Sequence, residues 1–145
     1  MSERNELSFE ERHTWAGLAL GFAAVATYIV IITVRSQDTP ISEVAWAWPM
    51  LWTVLIAGGA YGAVYGILAA RHRGPRTDPR EIEIDRFGEL SGKGLLSFSV
   101  LVAIVLVALD VDGFWVAQTL FLGSYTASTI GTVAKLVAHR KGLPL

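Results

Sequence analysis

Residues 44–70 read VAWAWPMLWTVLIAGGAYGAVYGILAA, 27 residues without one Asp, Glu, Lys, Arg or His. A helix of about 20 apolar residues crosses a hydrocarbon core about 30 Å thick. Helices of soluble bundles carry a polar face at the 3.6-residue period, whereas this run is apolar all round. The stretch therefore predicts a membrane span. Within it Gly58, Gly62 and Gly66 recur every fourth residue on one face. Each costs a helix in water about 1 kcal/mol relative to alanine. In lipid, small residues let a second backbone come close.

Three further runs lack charge: 15–34, 94–109 and 113–134. The run 94–109 is short, but Lys93 can snorkel at one end while Asp110 sits at the other interface. The expected fold is all-α: a four-transmembrane-helix bundle forming a single membrane domain over 1–145, with helices at about 10–35, 44–70, 79–110 and 113–139. Only 17% of residues are charged, against about 25% in soluble domains. A very apolar soluble bundle is the alternative, and it lacks the polar faces it would need. Ala24-Val25-Ala26 looks like a signal-peptide cleavage site. The leader MSERNELSFEER is acid-rich, however, and apolar sequence continues to Val34, so a retained first helix is expected.

Eleven of the twelve Lys and Arg residues fall before helix 1, between helices 2 and 3, or after helix 4, and Arg35 alone falls on the opposite side. The positive-inside rule then places both termini and the 71–93 loop in the cytoplasm. The outer loops, 35–44 and 110–113, are short and acidic. Trp15 marks the inner interface, and Trp46, Trp48 and Trp115 form an outer aromatic belt. The net charge of −1 gives no reason to expect a nucleic-acid partner.

Asp78-Pro79-Arg80-Glu81 combines a capping aspartate with a proline at the first helical position, so a helix should start near Pro79. Ile84, Phe87 and Leu90 share one side, with Glu81, Asp85, Arg86 and Glu89 elsewhere. This predicts a short amphipathic cytoplasmic lead-in before helix 3. A solvated helix face is the plainer reading of those charges. Ser8-Phe9-Glu10-Glu11 opens helix 1 in the same way. Each half of the chain repeats a capped start, two spans around an acidic loop, and a basic end: RHRGP (71–75) and HRKGLP (139–144). Two tandem helical hairpins in parallel orientation are the resulting expectation.

Helix packing is expected to use three small-residue faces: Gly17 and Gly21, then Gly58, Gly62 and Gly66, then Gly123, Ala127 and Gly131. Internal closure of the bundle is the leading expectation. A homodimer or docking to another membrane protein are the alternatives. Helix 4 is the most polar span, with Gln118, Ser124 and Ser128 among its polar residues. Most such hydroxyls bond the carbonyl one turn back. A polar lining for a solute path, joined by Thr53 and Tyr61, is the functional alternative.

A catalytic constellation is missing. With no cysteine, disulfides, thiolate metal sites and cysteine nucleophiles are excluded. No G-x-S-x-G, H-E-x-x-H or P-loop pattern occurs. His13, His72 and His139 all map to the cytoplasmic boundary, so neither a haem clamp nor another cofactor or metal is expected. Intramembrane charges flag function in membrane proteins, and Lys135 is the nearest to one. A proton-coupled exporter would need a buried carboxylate, which the spans lack. Asp110 and Asp112 read as ordinary loop acids, with a small outer cation site as the alternative.

DPREIEIDRFGELSG (78–92), FWVAQTLFL (114–122), HRKG (139–142), EERHTW (10–15) and WPMLWT (48–53) together resemble a family of small actinobacterial four-helix membrane proteins of uncharacterised function. The resemblance covers nearly the whole chain, departing at Gln118, where the family has asparagine, and at His139, where it has tyrosine. It implies a multi-pass protein of the bacterial plasma membrane and no activity. The positions it would share are Arg80, Glu81, Asp85, Arg86 and Glu89 on the lead-in, and Trp115 and Gln118 at the outer end of helix 4. The expected function is that of a non-enzymatic accessory or interaction subunit in contact with membrane lipids. A small-solute transporter with a path along helix 4 is the alternative, and a lipid enzyme using Glu81, Asp85 or His72 is the third reading.

Overall fold

Each uncharged run becomes a helix. The computed structural model describes residues 9–71 and 79–141, which places the proposed caps at Ser8 and Asp78 outside the described residues. The helices are α1 (Phe9–Arg35), α2 (Ala47–Arg71), α3 (Pro79–Ala108) and α4 (Gly113–Lys141), and a 3-10 turn at Ile41–Glu43 interrupts the first connection. No strand occurs among the described residues. α1, α2 and α3 are long and apolar enough to cross a membrane. α4 has the length, but its glycines, hydroxyls and Gln118 lower its mean hydropathy, and it falls outside that set.

One boundary differs from the sequence expectation by more than two residues. α2 starts at Ala47 rather than at 44, with Val44 still extended at ψ 138°. Pro49 explains this: lacking an N–H, it fits a helix only in its first turn. The lead-in and the third span are one unbroken helix of 30 residues, about 45 Å long.

The α3–α4 connection is built by two aspartates. Asp110 adopts φ 55°. Its N–H donates to the Val107 carbonyl (3.1 Å), and the Val111 N–H reaches the Leu106 carbonyl (3.0 Å). This is a Schellman end with aspartate in the left-handed position usually held by glycine. Two residues on, the Asp112 carboxylate accepts from the Phe114 N–H at 2.8 Å and caps α4. Both acids thus act on backbone, and no group of three His, Asp or Glu that could hold a metal occurs among the described residues. Asp110→Val, which places a branched side chain at positive φ, is expected to cost about 1–2 kcal/mol in thermal or SDS unfolding, whereas Asp110→Gly is tolerated.

The helices stand in the order α2, α1, α4, α3, because α1 packs on α2, α4 on α1 and α3 on α4, whereas among the described residues the α2 backbone comes close to neither α3 nor α4. The bundle is therefore an open row rather than a closed square. The α3–α4 seam is the tightest. A methyl group on Gly92 would stand 2.5 Å from the Ala127 carbonyl oxygen, and one on Gly131 would stand 2.7 Å from that of Gly88. One on Gly123 would strike Ser99. The α1–α2 seam is side chain into notch: the Tyr61 ring fills the space over Gly17. Tyr61 also shares a 3.2 Å hydrogen bond with His13, whose ring meets Tyr65 edge-on at 5.4 Å. At the far end Arg35 donates to the Ala45 carbonyl at 2.9 Å.

α1 and α4 meet through two tyrosines. Tyr125 covers Gly21. The Gln118 amide donates to the Tyr28 hydroxyl at 2.6 Å, and the Tyr28 ring meets Phe121 edge-on at 5.0 Å. Tyr28, Ile32, Val44 and Phe114 form the buried cluster that closes this end, with Trp46, Met50 and Phe121 against it.

Candidate functional site

The expectation that all three small-residue faces pack within one chain needs correction at α2. A methyl group on Gly58, Gly62 or Gly66 would meet nothing within 4 Å among the described residues. None of the most apolar 18-residue stretch of α2 is buried. Gly123, Ala127 and Gly131, their proposed counterparts in α4, lie against α3 instead. The difference follows from the open row: α4 has neighbours on two sides, α2 on one.

The glycines that answer α4 across the seam are Gly88 and Gly92 of α3, which the sequence reading passed over. Their four-residue spacing, in FGELSG, was the available signal. Once α3 is one straight helix, that segment becomes part of the packed seam.

The polar residues of α4 divide by role. Thr126 and Thr129 donate to the carbonyls of Leu122 and Tyr125, one turn back. Thr53 of α2 does the same to Pro49. Gln118 serves the Tyr28 joint, and Tyr61 the α1–α2 seam, so neither lines a path. Trp115 is half-exposed near the N-terminal end of α4, its ring edge-on to Phe114. Ser124 and Ser128 border two spaces, the first of them together with Thr53. The first is a cleft of about 640 Å³ over α1, between α2 and α4. The other is a crevice of about 330 Å³ along the α3–α4 seam.

Glu89 and Lys93 of α3 and Thr132 and Lys135 of α4 also border this crevice. Lys135 forms a 2.7 Å ion pair with Asp85. Arg80 and Arg86 lie on exposed parts of the same helix end, and Glu81 falls in its first turn. The Asp85–Lys135 pair is about 25 Å along the bundle from Gln118, and neither Trp115 nor Gln118 borders the crevice, so no single site contains both groups. The seam also changes which charge lies deepest. Gly92 faces Ala127, which puts Lys93 eight residues beyond Asp85, about 12 Å further along the bundle than the Lys135 ion pair. Lys93, not Lys135, is the innermost charge of the apolar band. No family model matches the chain, and no curated protein or solved structure is significantly similar to it.

Proposed function

We propose that the chain is a four-span membrane protein with both termini in the cytoplasm, acting as a non-enzymatic interaction subunit that assembles through the glycine face of α2. The observation that carries this reading is the open face itself. Gly58, Gly62 and Gly66 form a notch on an apolar helix, and among the described residues nothing fills it. α4 supports its own role as the fourth span by packing along α3, which is long and apolar enough to cross a membrane. The lysine and arginine asymmetry supports the orientation.

A second copy is the partner the face suits. Copies inserted in one orientation present parallel α2 helices, and a two-fold axis between them sets each notch against its twin. Gly62→Leu is expected to weaken self-association at least about tenfold, which is roughly 1.4 kcal/mol. Crosslinking or native gels in mild detergent would read it. The first added carbon meets nothing within 4 Å among the described residues, so the single chain keeps its fold and the unfolding midpoint should fall only by the part that self-association adds. An assembly of unchanged size would sink this reading.

A further inference from the structure

Ser124 and Ser128 border both the cleft and the crevice, and the two spaces together order chemical groups along the bundle axis. Nearest the inner end of α3 comes Glu89, a carboxylate. One turn deeper comes Lys93, an ammonium. Beside and beyond them are the Ser128 and Ser124 hydroxyls. Past these the walls become apolar, with Val54, Met50, Leu120 and Phe121. Neither Glu89 nor Lys93 has an ion-pair partner among the described residues. Lys93 lies fifteen residues from the outer end of α3 at Ala108, about 22 Å along the axis. A hydrocarbon core about 30 Å thick would place its Cα several ångströms below the inner boundary. An ionisable group at such depth points to function, with its partner to be named.

We infer that this groove binds one phospholipid of the inner leaflet with a phosphoethanolamine headgroup. The lipid presents its groups in the same order: primary ammonium outermost, then phosphodiester, then ester oxygens, then acyl chain. Glu89 accepts from the ammonium, and Lys93 donates to the phosphate, a charge-assisted bond of the stronger kind. Ser128, level with the step from Glu89 to Lys93, donates to the phosphate, Ser124 donates to the ester level beyond it, and an acyl chain occupies the space between α2 and α4. Asp85 holds Lys135, which leaves one free charge of each sign at the groove, a match for a zwitterion rather than a net anion. Among the described residues the α2 backbone comes close to neither α3 nor α4, which leaves the groove open sideways, so a lipid can enter from the bilayer. This inference rests on the membrane-spanning reading and is independent of self-association, since it uses α3, α4 and the cleft wall rather than the glycine face.

The test is lipid retention by native mass spectrometry, with the full chain taken from nanodiscs of phosphatidylethanolamine and phosphatidylglycerol in equal parts. Wild type is expected to keep one phosphatidylethanolamine. Lys93→Ala should weaken retention of both lipids by about tenfold or more. Glu89→Gln should weaken phosphatidylethanolamine alone and erase the preference. Val54→Trp fills the apolar cleft without touching either charge, and it should also release the lipid. Thermal unfolding in detergent checks that each variant is folded, and if Lys93→Ala fails that check, Lys93→Gln replaces it. Equal retention by wild type and the Lys93 variant would overturn the inference, since the lipid would then be annular. Equal competition by soluble phosphoethanolamine would overturn it too, since the acyl chain would play no part.

Discussion

Gly92→Leu unseats α3 from α4 and lowers the stability of the bundle by about 3 kcal/mol or more, the upper range for overpacking. The first carbon added already stands 2.5 Å from the Ala127 carbonyl oxygen. That neighbour is backbone in the middle of a helix, so it cannot swing aside as a side chain would. Leucine adds three more carbons along the same line, and the two helices must part. Parting forfeits the contacts of the whole seam, where Gly88 and Gly131 face each other just as closely. In lipid no gain from burying apolar surface compensates, because the acyl chains are as apolar as leucine. SDS titration or thermal unfolding in micelles would measure the loss. Gly62→Leu in α2 serves as the matched control, with the same chemistry at a position where nothing is struck. If the two variants unfolded alike, the seam would not be the close approach described.

The second large effect belongs to Tyr28. Its side chain is only 2% exposed, and it joins the two hairpins where α1 meets α4. Tyr28→Ala removes the ring that Phe121 packs against and strands the Gln118 amide. A buried aromatic replaced by alanine costs about 3–5 kcal/mol in a soluble core. Lipid returns the transfer part of that cost, so about 2–3 kcal/mol is expected here. Tyr28→Phe isolates the hydrogen bond, and about 1 kcal/mol is expected from it. A double-mutant cycle with Gln118→Leu should recover most of the Tyr28→Phe loss, since both partners are then apolar. Strict additivity would show that the 2.6 Å contact contributes nothing.

Much of the architecture could be read from charge alone. The uncharged runs showed that there are four helices, because ionisable groups are excluded from apolar packing in water and lipid alike, and the proline and capping signals before α1 and α3 supplied the starts that the runs alone miss by up to 15 residues. The one sizeable boundary error, at α2, arose because apolarity does not distinguish a helix from the extended Val44–Trp46 segment, whereas the backbone of Pro49 does. Pairing was harder to read. Glycine spacing shows that a helix can be approached closely, but it does not say by which neighbour, and so Gly58 and Gly131 looked equivalent. Their difference is a matter of arrangement: α4 stands inside the row and α2 at its edge. Lys93 was misjudged for a related reason. Its depth depends on the register between α3 and α4, which Gly92 and Ala127 set and which no single segment encodes.

The Tyr28–Gln118 bond also sets a schedule for biogenesis. Its two ends are 90 positions apart in the chain. At about 5–20 residues per second, the ribosome delivers the second partner roughly 5–20 s after the first. On the proposed membrane-spanning reading, the early pair of helices would wait through that interval with its tyrosine hydroxyl unmet, while α3 and α4, adjacent in sequence, can pair locally as they emerge. Union of the halves is then the closing event of synthesis, and an insertase that shields a lone phenol would shorten the exposure of the nascent chain to degradation.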